Sequence, residues 1–206
     1  LAFMTGVIIL PQRQTALVAK QAANLDIYCE GRLRLGIGLG WNKVEYDALN
    51  EQFANRARRL EEQIEFLRYC WTEETFVYKK EFHNMDNGGI KPLPTQQPIP
   101  IWLGGNSDTA MKRAARIGDG WLPYAVPGAQ AESSMNVFKD MLMAAGRDPA
   151  KVPVENIIFM GNTLGDPIRP VETAIEEALM WKSAGAHGVS FDTMGANFKD
   201  IDTHIA

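Results

Sequence analysis

The chain has 206 residues, enough for one domain with a substantial core, and its 46% apolar and 22% charged residues exclude a wholly disordered polymer. Lys and Arg number 21 against 25 Asp and Glu, so the net charge of −4 gives no general attraction for nucleic acid or anionic lipid, though it allows a local phosphate site. No run approaches about 18 consecutive apolar residues and no basic-then-apolar leader is present, so no membrane partner is expected and a cytoplasmic protein is the default.

Cys29 and Cys70 are too few for a disulfide framework and too widely spaced for a metal pair, so they are expected to be reduced core thiols. His83, His187 and His204 are the only histidines, and no metal site is expected.

The chain opens directly on an apolar run, Phe3 to Leu10, bounded by Pro11, which predicts a strand covered on both faces and a sequence that begins inside a fold. Thr15 is placed to cap a helix carrying Leu17, Val18, Ala22, Leu25 and Tyr28, with Gly31 ending it. From Arg32 to Gly40, Leu33, Leu35, Ile37 and Leu39 alternate with Arg34, Gly36, Gly38 and Gly40, predicting a strand with one bulky face and one that permits close approach. Phe53, Ala57, Leu60, Ile64, Leu67 and Trp71 recur at helical spacing, predicting a long helix over about 51–70. Periodicity then fades, and residues 72–98 are expected to be an insertion or extended connection, with Glu74 to Phe82 as a hairpin arm.

Order returns with a short strand over 99–103, the turn Gly104-Gly105-Asn106-Ser107, and a helix through Ile117. Strands are then expected at 120–124, 154–160 and 187–191, with helices at about 130–145 and 171–184. Every long connection thus contains a helix, as parallel strands require, and both an open doubly wound sheet and an incomplete α/β barrel fit the string.

The turn carries the strongest local chemistry. Its glycines let backbone approach an anion, amides at a helix start point toward it, and Asn106 and Ser107 add short donors; the same residues also suit an ordinary tight turn and cap. Gly36-Ile37-Gly38-Leu39-Gly40 lacks the Gly-x-Gly-x-x-Gly spacing and lies within a strand, which argues against a Rossmann site.

Taken together, Thr5–Pro11, Leu17–Asp26, Gly31–Trp41, Arg56–Leu67, Pro100–Ser107 and Ala114–Trp121 resemble, in order, the luciferase-like monooxygenase superfamily, especially its coenzyme F420-dependent oxidoreductases. The resemblance implies an α/β fold, a TIM-like (β/α)8 barrel of the bacterial luciferase type over residues 1–206 as one domain. On that template the Phe3 strand is the third, and roughly 70 to 90 residues holding the first two β/α units would precede it.

It also implies a cofactor site. Thr5, Gly6 and Val7 resemble the segment behind the flavin or deazaflavin ring, where a non-proline cis peptide sometimes occurs. Gly104, Gly105, Asn106 and Ser107 resemble the phosphate turn. Trp41, Asn42, Glu45, Trp121 and Tyr124 are the substrate-pocket candidates. Several relatives carry a glutamate near the position of Trp41, and Glu45 is the nearest acidic substitute, with a surface or helix-start charge as its alternative role. Arg56 and Arg59 suit either a cofactor tail or framework salt bridges, and His187 falls at the stability end of its strand.

The chain presents no fixed nucleophile, metal cluster or paired carboxylates, and its catalytic side chains are not identified. A redox cofactor accounts for that scarcity. The resemblance therefore implies hydride transfer between F420 and a small organic substrate, with a homodimer as the expected assembly. An FMN-dependent monooxygenase and a noncatalytic relative that retains anion binding are the alternatives.

Overall fold

Strand β3 (Leu33–Gly38) organises the first part of the chain, and it does so through what it lacks. A Cβ added at Gly38 would lie 3.1 Å from Val7 Cγ2, and one at Gly40, where φ is +70°, would lie 2.8 Å from Ile9 Cγ2. Bare backbone at these positions lets the neighbouring strand settle closely. That neighbour is broken in two: β1 (Phe3–Met4) and β2 (Ile8–Ile9) both pair parallel with β3. The single strand expected over Phe3–Leu10 is interrupted at Thr5–Val7, where the Thr5 hydroxyl donates to Gly36 O at 2.8 Å, and a 3-10 turn (Leu10–Gln12) then ends it.

This computed structural model describes residues 2–161 and 169–196, and its chain divides into two compact units, Leu1–Trp102 and Leu103–Ala206.

In the first unit, helix α1 (Thr15–Tyr28) buries Val18, Ala19, Ala22 and Ala23 and leaves Leu17, Leu25 and Tyr28 exposed. The small-residue face is the one used, so α1 lies close to α3 (Arg56–Thr72), where Trp71 Nε1 donates to Ala19 O at 3.0 Å. Between them comes α2 (Lys43–Ala48), which sequence periodicity does not reveal because it is little more than a turn long. Helix α3 buries Leu60, Ile64, Phe66, Leu67, Cys70 and Trp71. Both cysteines are free and buried, and burial pushes the Cys70 thiol up to about 12.

The connection over 72–98 holds an antiparallel hairpin, β4 (Phe76–Lys79) and β5 (Asn84–Gly88). Phe66 of α3 meets its Phe76 and Tyr78 edge-on, and Tyr69 stacks on Phe76. Beyond it, buried Asp26 accepts from Gln96 N at 2.8 Å and Gln96 Nε2 at 2.7 Å, fixing the extended run with its cis Lys91–Pro92 and Gln97–Pro98 peptides. Strand β6 (Ile101–Gly104) follows, and Leu35 of β3 donates its amide to Pro100 O at its start.

In the second unit, α4 (Asp108–Ile117), which buries Met111, Ala114 and Ala115, packs on α5 (Ala131–Ala144). Strand β7 (Gly120–Leu122) is bridged in parallel to β8 (Glu155–Phe159), which pairs parallel with β9 (Gly188–Asp192). Ile158 and Met160 pack with Ala174 of α6 (Val171–Ser183), while Glu155, Ile157 and Phe159 fall on the opposite sheet face. His187 pairs both its backbone N–H and its ring nitrogen Nδ1 with Val154, a framework role at the strand start. Each unit is therefore α/β, with parallel strand pairs covered by helices. Among the described residues no helix is long and apolar enough to cross a membrane, and His204 lies outside them.

One buried polar pair anchors the hairpin. Glu62 accepts from His83 Nδ1 at 2.8 Å and from the amides of Phe82 at 2.9 Å and Glu81 at 3.2 Å. Burial alone would raise its pKa, but the hydrogen bonds from His83 and Phe82 and the charge on His83 outweigh burial and hold the carboxyl below its ordinary range. A carboxyl whose pKa falls on folding stabilises the fold above the ordinary carboxylate range, and that contribution is lost as pH falls through the lowered value. Glu62→Gln should therefore cost about 1–3 kcal/mol at neutral pH. The gap from the unmodified protein should narrow on acidification, as denaturant titrations at several pH values will measure.

Candidate functional site

Two groups of side chains stand at strand ends, one in each unit. In the first unit, Thr5 is tied to Gly36 O, the Gly6–Val7 peptide is cis, and a Cβ at Gly6 would meet nothing within 4 Å. The segment thus presents bare backbone on an open side. Beyond β3, Trp41 is 86% exposed. Asn42 caps α2 by accepting from Val44 N at 3.1 Å, and its Nδ2 donates to Glu45 Oε1 at 3.1 Å. The other oxygen of Glu45 accepts from Gln12 Nε2 at 3.1 Å.

Of the two roles open to Glu45, the helix-start charge is the one its contacts describe. Asn42-x-x-Glu45 is a capping-box pattern, a signal in the sequence that could have placed α2. Tyr46, buried beneath it, donates its hydroxyl to Leu39 O, and burial pushes the phenol up to about 12 against the pull of Arg56 and Arg59. Arg59 is ion-paired with Glu51, while Arg56 lies 3.6 Å over the Phe53 ring and donates to Phe53 O at 2.9 Å. Both arginines serve the framework.

In the second unit, β6 runs into Gly104 and Gly105. Gly105 has φ +121°, a conformation side-chain-bearing residues rarely adopt, and an added Cβ would lie 3.0 Å from Ala110 Cβ. Its amide donates to Leu122 O at 3.3 Å, so it is not free for a ligand. Ser107 caps α4, its Oγ accepting from Ala110 N at 3.2 Å and standing 3.2 Å from Thr109 Oγ1. The two hydroxyls, with first-turn amides that have no intrahelical acceptor, form an exposed donor cluster. Asp108 beside them is neutralised by Lys112 at 2.8 Å. This set suits a phosphate, and Thr109 is a member that sequence reasoning missed.

Asn106 has a different task. Its Oδ1 accepts from Tyr124 N at 2.8 Å and its Nδ2 donates to Tyr124 O at 2.6 Å, so the side chain clips the turn to the end of the next strand and commits one of its two N–H donors there. Ala125 follows at φ +53°. Tyr124 itself is 54% exposed and meets Phe159 edge-on at 5.0 Å, an aromatic partner that the strand's alternation places on that face. Trp121 is only 1% exposed, stacks on Phe138 at 4.6 Å and donates to Gly105 O at 2.9 Å. The expected substrate contact from Trp121 is therefore replaced by a structural role: its indole supports the turn from below.

Also unforeseen is Asp192, at the end of β9 in register with Phe159, whose carboxylate accepts from Met194 N at 2.8 Å. Asn106→Asp keeps the acceptor for Tyr124 N but turns an oxygen toward Tyr124 O. It should cost about 1 kcal/mol and speed hydrogen exchange at Tyr124 and Ala125, whereas Ser107→Thr should leave that exchange unchanged.

Comparison with known proteins gives these geometries a context. A model of the luciferase-like monooxygenases matches residues 1–163. The chain is 41% identical over 122 residues to an uncharacterized protein of Mycobacterium tuberculosis, covering 59% of this chain and 42% of that one. It is 38% identical over 155 residues to an FMNH2-dependent dimethylsulfone monooxygenase of Pseudomonas fluorescens, covering 73% of this chain and 42% of that one. The chain thus spans well under half the length of these relatives. Among solved structures, an F420-dependent secondary alcohol dehydrogenase bound to an F420-acetone adduct superposes with a TM-score of 0.78 at 17% identity, covering 93% of this chain and 73% of that one, a likeness of fold. By the extent of the family match, this chain belongs to the luciferase-like monooxygenase family.

Proposed function

We propose that this protein is a flavin-type oxidoreductase and that reduced FMN is its cofactor. The observation that carries the reading is the start of α4: Gly105 in a glycine-only conformation, followed by the adjoining hydroxyls of Ser107 and Thr109 at an exposed helix N-terminus. A phosphate there would be held by Ser107, Thr109 and the first-turn amides, while Asn106 and Trp121 keep the turn in shape. Thr5, Gly6 and Val7 would offer their open backbone to the ring. When bound, reduced FMN supplies electrons as hydride or, with oxygen, for oxygenation. The first unit would contribute the backing of the ring, and the second the hold on the phosphate and the Tyr124–Phe159 aromatic pair, the second substrate being a small organic molecule.

FMN is preferred over F420 for two reasons. The named relatives at 37–38% identity are FMNH2-dependent monooxygenases, whereas the F420 enzymes resemble this chain at 15–17% identity, in fold. In addition, Trp121, which closes the Ala114–Trp121 stretch of the resemblance to the F420-dependent branch, is an indole buried under the phosphate turn, a role indifferent to the ring system. In the same reading, β1 with β2, then β3, β6, β7, β8 and β9, stand for the third to eighth strands of a (β/α)8 barrel, whose chemistry lies at the C-terminal strand ends.

Titration of the protein with FMN, reduced FMN and F420 tests the proposal. FMN should bind in both redox states, Gly105→Val should weaken it at least tenfold, or about 1.4 kcal/mol, and Ser107→Ala only a few-fold. Binding of F420 alone would restore the deazaflavin reading. Binding of neither to the folded protein would make it a noncatalytic relative.

A further inference from the structure

The carbonyls that close the Thr5–Leu10 segment are held from outside the site. Gln63 is completely buried on α3, and its Nε2 lies 3.1 Å from Leu10 O, 3.2 Å from Arg13 O and 2.9 Å from Thr15 Oγ1. Thr15 was expected to cap α1; it is instead the first helical residue, and its hydroxyl lies 2.7 Å from His83 Nε2. His83 Nδ1 in turn reaches Glu62, and the ring stacks on Phe66 at 4.7 Å.

Donor and acceptor chemistry orients both ends of this chain. A carboxylate can only accept, so His83 Nδ1 donates to Glu62; Nε2 on the other side of the ring faces the Thr15 hydroxyl, which can donate to it or accept from it. The Thr15 oxygen accepts one N–H of Gln63, which leaves the other N–H shared between Leu10 O and Arg13 O. Gln63 cannot be reversed without setting its Oε1 against the carbonyl oxygens of Leu10 and Arg13 in a buried place, and the His83 ring is held from its other side by the Glu62 carboxylate.

What the last member fixes is the 3-10 turn itself. Immediately before it, Ile9 packs over Gly40 and Val7 over Gly38. From within it, Gln12 reaches Glu45, which is bonded to the Asn42 cap beside Trp41. The turn therefore joins both flanks of the open face in the first unit.

We propose that Gln63 is a positioning residue for the Thr5–Val7 segment, held in register by Thr15, His83 and Glu62, so that the β4–β5 hairpin governs cofactor affinity without touching the cofactor. The inference rests on the reading of Thr5–Val7 as the backing of the ring. It assigns a function to the 72–98 connection, whose His83 is the far end of the chain.

The test compares Gln63→Met, which keeps the side chain's length but removes its donors, with His83→Phe, which keeps the stack on Phe66, and His83→Gln, whose amide supplies a donor and an acceptor again. Trp71→Phe is the control, since it removes a buried hydrogen bond between the same two helices, that to Ala19 O. Hydrogen exchange over residues 5–13 is measured without cofactor, alongside thermal stability and FMN affinity.

Gln63→Met and His83→Phe should each speed exchange over 5–13 and weaken FMN about tenfold, or about 1.4 kcal/mol, with His83→Gln recovering most of both. Trp71→Phe should lower the melting temperature but leave segmental exchange and FMN affinity within about twofold, a margin under 0.5 kcal/mol. If Gln63→Met and His83→Phe behave like the control, or speed exchange while leaving affinity intact, the positioning role is overturned. If the unmodified protein binds neither FMN nor F420, the functional reading falls instead, and unchanged exchange over 5–13 would separately overturn the proposed hold on the segment.

Discussion

Close backbone approach at β3 is the constraint on which the first unit depends. Gly38 and Gly40 accept Val7 and Ile9 at distances that leave no room for a methyl group. Because Val7 is bonded to Gly6 and Ile9 follows two residues on, the packing at Gly38 and Gly40 also fixes the backbone next to the open Gly6. Leu33, Leu35 and Ile37 fill the buried positions of the same strand, so one short sequence supplies a core face and a site-shaping face. Substitution of either glycine would be felt first in Thr5–Ile9, and only then in the core.

The second unit solves a similar problem with polar groups. A turn with one glycine at φ +121° has little to hold it, and here three neighbours do so: Leu122 O accepts the Gly105 amide, the Trp121 indole reaches the Gly105 carbonyl, and Asn106 clips both backbone groups of Tyr124. With these groups satisfied, the start of α4 is left with its Ser107 and Thr109 hydroxyls and first-turn amides facing solvent. The division of labour is chemical: the groups best able to reach backbone stabilise the turn, and at the helix start Ser107, its Oγ beside that of Thr109, caps α4 at the surface.

Neither face contains a nucleophile, a metal cluster or a pair of carboxylates poised for proton transfer. Glu45 accepts hydrogen bonds at both oxygens, and Tyr46 is buried with its phenol pushed up to about 12, which leaves it protonated at neutral pH. The chain's contribution is shape and position, which is why buried residues such as Gln63 and Trp121 matter as much as exposed ones.

The alternation of strands and helices was legible in the sequence because burial repeats every two residues in one and every three to four in the other. The glycine row, the Gly104–Ser107 turn and the buried thiols were legible for the same local reasons. The sequence also carried the capping signal of α2, in Asn42 and Glu45. What tertiary structure alone decided was the partner of each polar side chain. Asn106 reads as a phosphate donor until Tyr124 is found within reach, Trp121 as a pocket wall until Phe138 covers it, and Thr15 as a helix cap until Gln63 and His83, 48 and 68 residues away in sequence, claim its hydroxyl. Periodicity reports which face of an element is buried, whereas a hydrogen bond depends on the position of an atom on another element, and only the folded chain brings the two together.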